Sequence, residues 1–384
     1  MAYLRLRTTN IDISLSRALA YEAAYFAKLP VMAQHFQLLD PTNASLCGAG
    51  NGGTNEFPRP WAAEIQYRLF ISMQGLAEVI RFTAQHRPEN KQAYIDFAWT
   101  VIDTMVPLHI SAAGTIGCSV SNSSLTFSSP GERYPFLAMR GLTVEAELLH
   151  AIWHNSDEQL RVEARLLEIK SIYDVYDGDY PDDPANQGYG NTVSESNGSA
   201  ASGDRPVDWG FWTVSTIPHI AGILGDVFDD QSLTDRFCNH LREMKESTAF
   251  HNGDWFKGTH NGFTQYPPEY LDMGHMDYFV ATINFDLHQQ SVGKSCPNSF
   301  TSAEVAQLAN TFCQLFVNAS PGEWSGRHLV LFAKWVKFAP CLDDLAQPLS
   351  AFTFPSPGIS GFDIDGDMGT VANLVSGYSY PLNG

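Results

Sequence analysis

The sequence predicts a mainly α protein: irregular helical domains joined by long loops, with a few short strands. Three observations carry that expectation. Apolar residues recur at helical spacing over several long segments. Prolines and capping residues stand where those segments begin and end. The stretches between them are rich in Gly, Asn, Ser and Pro.

Taken in order, residues 2–7 alternate Ala2, Leu4, Leu6 with Tyr3, Arg5, Arg7 and predict a short strand. Residues 12–28 follow as a helix stopped by Pro30, and 41–60 form a Gly/Asn/Pro-rich loop. A helix is expected from Trp61 to His86, with Ile65, Leu69, Met73, Leu76 and Ile80 on one face. Pro88 separates it from a second helix over about 90–106. Residues 111–135 read as a loop or hairpin, and 138–154 return to helical spacing. Ser156 and Gln159 predict a capping box for a helix ending near Ile172, with Leu160, Ala164 and Leu167 on its buried stripe. Beyond the loop described next, helical spacing resumes over 213–250, with Pro218 as a break. Residues 251–298 show no clean period. Thr301 and Glu304 form a second capping box ahead of Val305, Leu308, Phe312 and Phe316, the clearest amphipathic pattern in the chain. Residues 326–338 are expected to be helical, and the tail beyond Pro340 irregular.

Residues 174–210 are too long and too poor in aliphatic side chains for an ordinary connection. They divide the chain into an N-terminal helical region (1–173), an acidic Gly/Ser/Asp-rich loop or linker (174–210), a C-terminal helical region (211–340) and a tail (341–384). The formal net charge of −19 is spread unevenly: −2 over 1–173, −7 over 174–210 and −10 over 211–384. A surface this acidic repels phosphate backbones, which argues against tight nucleic-acid binding. Neither end carries a Lys/Arg-rich arm, and no apolar run is long enough to span a membrane. Cys47, Cys118, Cys238, Cys296, Cys313 and Cys341 are widely spaced without a CxxC pair. They are expected to be free buried thiols, and the protein cytoplasmic.

Several motifs come close to known chemistry. Gly48-Ala-Gly-Asn-Gly-Gly53 fits GxGxxG, but a polar loop precedes it and Pro58 and Pro60 follow, so it reads as a turn. Gly293-Lys294-Ser295 resembles the end of a P-loop, but His288 stands where the earlier glycine belongs. Glu147 and His150 make a single ExxH, and His150 and His154 stand one helical turn apart; zinc would need a third ligand. Two acidic groups, Asp174, Asp177, Asp179, Asp182, Asp183 and Asp363, Asp365, Asp367, offer calcium-type oxygens without the EF-hand pattern. They read as solvated loops. No GxSxG or HExxH is present. On these grounds no catalytic, cofactor-binding or metal site, and no cofactor, is assigned.

One segment departs from this background. Residues 251–288 hold His251, Asp254, Trp255, His260, Tyr266, Glu269, Tyr270, Asp272, His275, Asp277, Tyr278, Asp286 and His288. Carboxylates, imidazoles and aromatic platforms together suit a carbohydrate site, or an interface packed by aromatics. The expected function is therefore a self-assembling structural protein, foremost a capsid (coat) protein of a double-stranded RNA virus. Its partner would be itself, with loose contact to enclosed RNA and none to a membrane. Catalytic signatures are absent, aromatics make up 12% of the chain, and long irregular segments suit burial against neighbours. A capsid whose double-stranded RNA stays mobile needs no basic arm. The alternative is a polysaccharide-degrading lyase or glycoside hydrolase with a helical toroid fold, drawing on His251, Asp254, Tyr266, Glu269 and His275.

Overall fold

The computed structural model describes residues 15–30, 32–33, 61–112, 133–179, 208–246, 273–312 and 332–338, together with 372 and 375. Among these residues the chain is helical and holds no strand. The expected strand at 2–7, most of the 174–210 loop and most of the tail lie outside them. No helix of the described residues is long and apolar enough to cross a membrane.

Residues 15–26 form α1. It lies on a hairpin of α2 (Trp61–His86) and α3 (Pro88–Ala112). Proline at the first position of α3 lacks only an N–H that would have no helical partner there. The chain reverses at Arg87, whose N–H donates to the Thr83 carbonyl while its own carbonyl accepts from Asn90. Buried Glu22 of α1 holds the other side of this turn: it accepts from the Tyr94 hydroxyl at 2.8 Å and the Asn90 amide at 3.0 Å.

Two helices make the centre. α4 (Arg133–Asn155) packs against α2 and α3, and α6 (Asp208–Phe228) packs against α4. Every residue from Leu142 to Ile152 of α4 is buried. Helix α5 (Gln159–Asp179) covers both α4 and α6, so helices from either side of the 180–207 segment share one core. α7 (Gln231–Glu246) and α8 (Met273–Ser291) pack on α6. α9 (Ser302–Phe312) meets a short 3-10 turn, Phe332–Trp335. Trp335 is fully buried and its indole N–H donates to Asn284 Oδ1 at 2.8 Å.

The structure revises several expectations. Helix α6 runs through Pro218 rather than breaking there. The proline removes one backbone donor, but the helix is clamped on several sides by α4, α5, α7 and α8. Residues 273–291, expected to lack a period, are a helix because they are buried nearly all round: Val280 to Leu287 are all buried, so no polar stripe marks them. The helix expected over 326–338 is, among its described residues, a single 3-10 turn at 332–335. Asp174, Asp177 and Asp179 belong to the last turns of α5 rather than to a loop.

The Ser156–Gln159 pair is not a capping box. Glu158 supplies the first helical carbonyl, Ser156 Oγ accepts from the Glu158 N–H, and the Gln159 amide donates to the Ser156 carbonyl. Thr301 and Glu304 do form one. Thr301 Oγ1 accepts from the Glu304 N–H at 3.2 Å, and Glu304 Oε2 accepts from the Thr301 N–H at 2.7 Å. These contacts also hold the Glu304 carboxyl low against the raising effect of its partial burial.

The cysteine expectation is corrected as well. Cys238 of α7 and Cys296, beyond α8, form a disulfide with Cα atoms 5.3 Å apart. No free thiol occurs among the described residues. Spacing could not reveal it, because the two residues are 58 positions apart and meet only when α7 and α8 pack on α6.

Candidate functional site

The most polar part of the interior lies where α2, α4 and α6 cross. Helical spacing places His150 and His154 one above the other on α4. Asp226, near the end of the apolar run of α6, reaches both: its Oδ2 lies 2.6 Å from His150 Nε2 and 3.1 Å from His154 Nε2. Its Oδ1 pairs with the Lys294 ammonium. On the far side of His150, Arg81 Nη2 lies 3.0 Å from Nδ1. Arg81 also pairs with Glu78, and Glu78 lies 3.2 Å from the buried Lys334 ammonium. Glu147 and His219 come within 2.8 Å of each other nearby. The formal charges of Glu78, Glu147 and Asp226 cancel those of Arg81, Lys294 and Lys334.

The arrangement fixes the state of His150. A guanidinium has donors only, so Nδ1 must accept from Arg81 and Nε2–H must donate to Asp226. The imidazole is therefore neutral. Burial pushes its pKa down to about 4; the Asp226 hydrogen bond opposes this and the Arg81 charge adds to it. For Asp226, burial alone would raise the carboxyl, but hydrogen bonds from His150, His154 and Lys294 outweigh it and hold the group far below the carboxylate range. His288, whose ring centroid lies 5.9 Å from that of His150, is held low by its dry surroundings and then by Arg81.

His150, His154 and Asp226 are also the residues that could hold a metal ion, since one ligand atom from each lies within 4.8 Å of the others. Asp226 supplies the third ligand that the sequence lacked. The surroundings fit a cation poorly. A histidine bound to metal through Nε2 needs an acceptor at Nδ1, and His150 presents Nδ1 to a guanidinium. Asp226 already faces an ammonium. As a catalytic base His150 is equally unsuited: its side chain is 1% exposed, both nitrogens are engaged, and its pKa lies far from neutrality. The cluster is an ion-pair joint across α2, α4 and α6, buried at Glu78, Arg81 and His150 and open to solvent at His154 and Lys294.

Of the 251–288 group, only Asp286 and His288 have described side chains. Asp286 is a structural anchor. It accepts from Ser299 Oγ at 2.6 Å and from the Phe300 N–H at 2.7 Å, fixing the turn into α9. Burial raises its pKa against those bonds. His251, Asp254, Trp255, His260, Tyr266, Glu269, Tyr270, Asp272, His275, Asp277 and Tyr278 lie outside the described side chains, as do Gly48–Gly53 and Asp363, Asp365 and Asp367. In Gly293-Lys294-Ser295, Gly293 takes φ 83° in the turn after α8, and Lys294 is the partner of Asp226.

A second feature is on the surface. Leu160 is 84% exposed and Leu167 55% exposed, and Ala164 lies exposed between them on α5. This corrects the expectation that they form the buried stripe. The core takes the opposite face: Val162, Leu166, Ile169 and Tyr173. With apolar residues on both faces, the period of α5 does not say which one turns inward.

Sequence reasoning found His150 and His154 but missed Asp226, Arg81, Glu78 and Lys334. A signal was present for Asp226, which is the lone charge closing the run Ile220-Ala-Gly-Ile-Leu-Gly-Asp226. Comparison of the chain with family models, with curated proteins and with solved structures returns no match.

Proposed function

We propose that the chain is a self-assembling structural protein, and specifically the coat protein of a double-stranded RNA virus. The observation that carries the reading is the outer face of α5, where two leucines and an alanine line one exposed stripe. Scattered surface leucines are ordinary, whereas aligned ones mark a contact. Three further features support it. The polar centre is charge-balanced and buried at His150, as a structural joint is. The net charge of −19 suits a shell that encloses nucleic acid without gripping it. A disulfide is at home on the surface of a virion.

Of the residues singled out in 251–288, the two with described side chains do not favour the polysaccharide enzyme: Asp286 fixes a turn and His288 packs beside His150. The test is negative-stain microscopy of the purified chain beside its elution volume. Uniform shells or a large oligomer are expected. A compact particle of monomer size at high concentration, across a range of salt, would overturn the reading.

A further inference from the structure

We infer that α5 pairs antiparallel with α5 of a second copy of this chain, about a two-fold axis midway between Ala164 and Leu167. The inference rests on the reading of the chain as self-assembling and names the surface and the geometry. Leu160, Ala164, Leu167 and Ser171 are exposed and follow one another at intervals of four, three and four residues. That is the seam of a two-stranded coiled coil, with leucine at alternate positions and a small residue at its centre that lets two backbones approach. The seam lies opposite the Val162, Leu166, Ile169 and Tyr173 face, so a partner can reach it without disturbing the core.

The charges beside the seam select the partner and its direction. Arg161 and Glu168 flank one edge; Glu163 and Lys170 flank the other. In an antiparallel pair each edge meets its own copy in reverse. Arg161 then faces Glu168, and Glu163 faces Lys170, twice over by symmetry. In a parallel pair Glu163 would face Glu168, a repulsion repeated on both sides. The stripe is therefore complementary to itself in one direction only, which is the property of a two-fold contact. Arg161 now pairs with Asp103 and Glu158 and lies 3.6 Å over the Trp99 ring, Glu168 pairs with Arg165, and Lys170 with Asp174. The ion pairs are surface pairs of small worth. Leu167 of each copy would pack across Ala164 of the other, and Leu160 across Ser171. A seam this short buries less than a standard interface. It suits one contact repeated through a larger assembly, where many weak contacts add up.

Cysteine cross-linking of the full chain tests the geometry. Ala164→Cys and Leu167→Cys face each other beside the axis, so oxidation of an equal mixture of the two variants is expected to give covalent dimers above the level of the parent protein. Ser171→Cys lies on the seam away from the axis and is expected to give none beyond that level. A second pair of substitutions, Leu160→Glu with Leu167→Glu, is expected to raise the concentration needed for assembly by about tenfold or more. Its helical circular dichroism is expected to stay unchanged, because both leucines face solvent. Cross-linking through Ser171→Cys would mean parallel pairing and overturn the inference. Assembly of the parent with no cross-link between Ala164→Cys and Leu167→Cys would overturn it while leaving the self-assembly reading intact. A parent that stays monomeric would overturn both.

Discussion

At His150 one imidazole satisfies two charged neighbours by staying neutral, and pH acts on that choice. The unfolded side chain titrates near 6.5, whereas the folded one titrates at about 4. The unfolded chain therefore binds the proton more readily, and stability falls as pH drops from about 6.5 to about 4. The loss from this residue is at most about 3 kcal/mol. His288 is also held low and acts in the same direction. Asp226 adds little above about pH 5, where it is ionised in both states, and below that acts in the same direction, since only the unfolded chain takes up its proton there. Urea denaturation at pH 7 and pH 5 is expected to show the fall, and His150→Gln is expected to lessen it. A slope unchanged by that substitution would place the titration elsewhere. Asp226→Ala leaves Lys294, His150 and His154 without their common acceptor. It is expected to cost about 1–3 kcal/mol, as a buried hydrogen-bond donor left without its acceptor does. A loss under 1 kcal/mol in urea denaturation (roughly the worth of a surface pair) would mean that Asp226 does not hold the joint.

Among the elements, the junction of α6, α7 and α8 is the tightest. A Cβ added at Gly222 would lie 2.9 Å from the Phe237 and Phe285 rings, which pack edge-on at 5.3 Å. Gly222→Ala is expected to cost about 1–3 kcal/mol by overpacking, measured as a lowered urea midpoint. The disulfide closes a loop of 58 residues across the same junction. In the chain-entropy account its removal by Cys238→Ala with Cys296→Ala costs about 4 kcal/mol, read from the midpoints of the two proteins. Much of this architecture was legible in the sequence. The bounds of α2, the Pro88 turn and the Thr301–Glu304 cap follow from local chemistry, which a sequence displays directly. Helix α8 did not follow, because a helix buried all round carries no polar stripe. Pro218 misled because propensity is local and the packing that overrides it is not. The joint around Asp226 was half visible: two histidines share one helix face, but their partner lies on a helix more than seventy positions further along.

For the molecule as a whole, the informative error is α5. Its two apolar stripes are alike in period, and only the packed structure shows which one the core uses. The other is exposed, and in the proposed assembly it meets a neighbour. In that proposal the acidic balance limits what else the assembly holds, since a surface at −19 repels RNA except where local charge permits contact. The most direct measurement of the central claim is sedimentation velocity of the purified full chain over a hundredfold range of concentration, at low and at moderate salt. A species far larger than the 42.5 kDa chain, growing with concentration and weakened by Leu160→Glu with Leu167→Glu, is the expected result. A single boundary at the monomer mass under every condition would contradict the account.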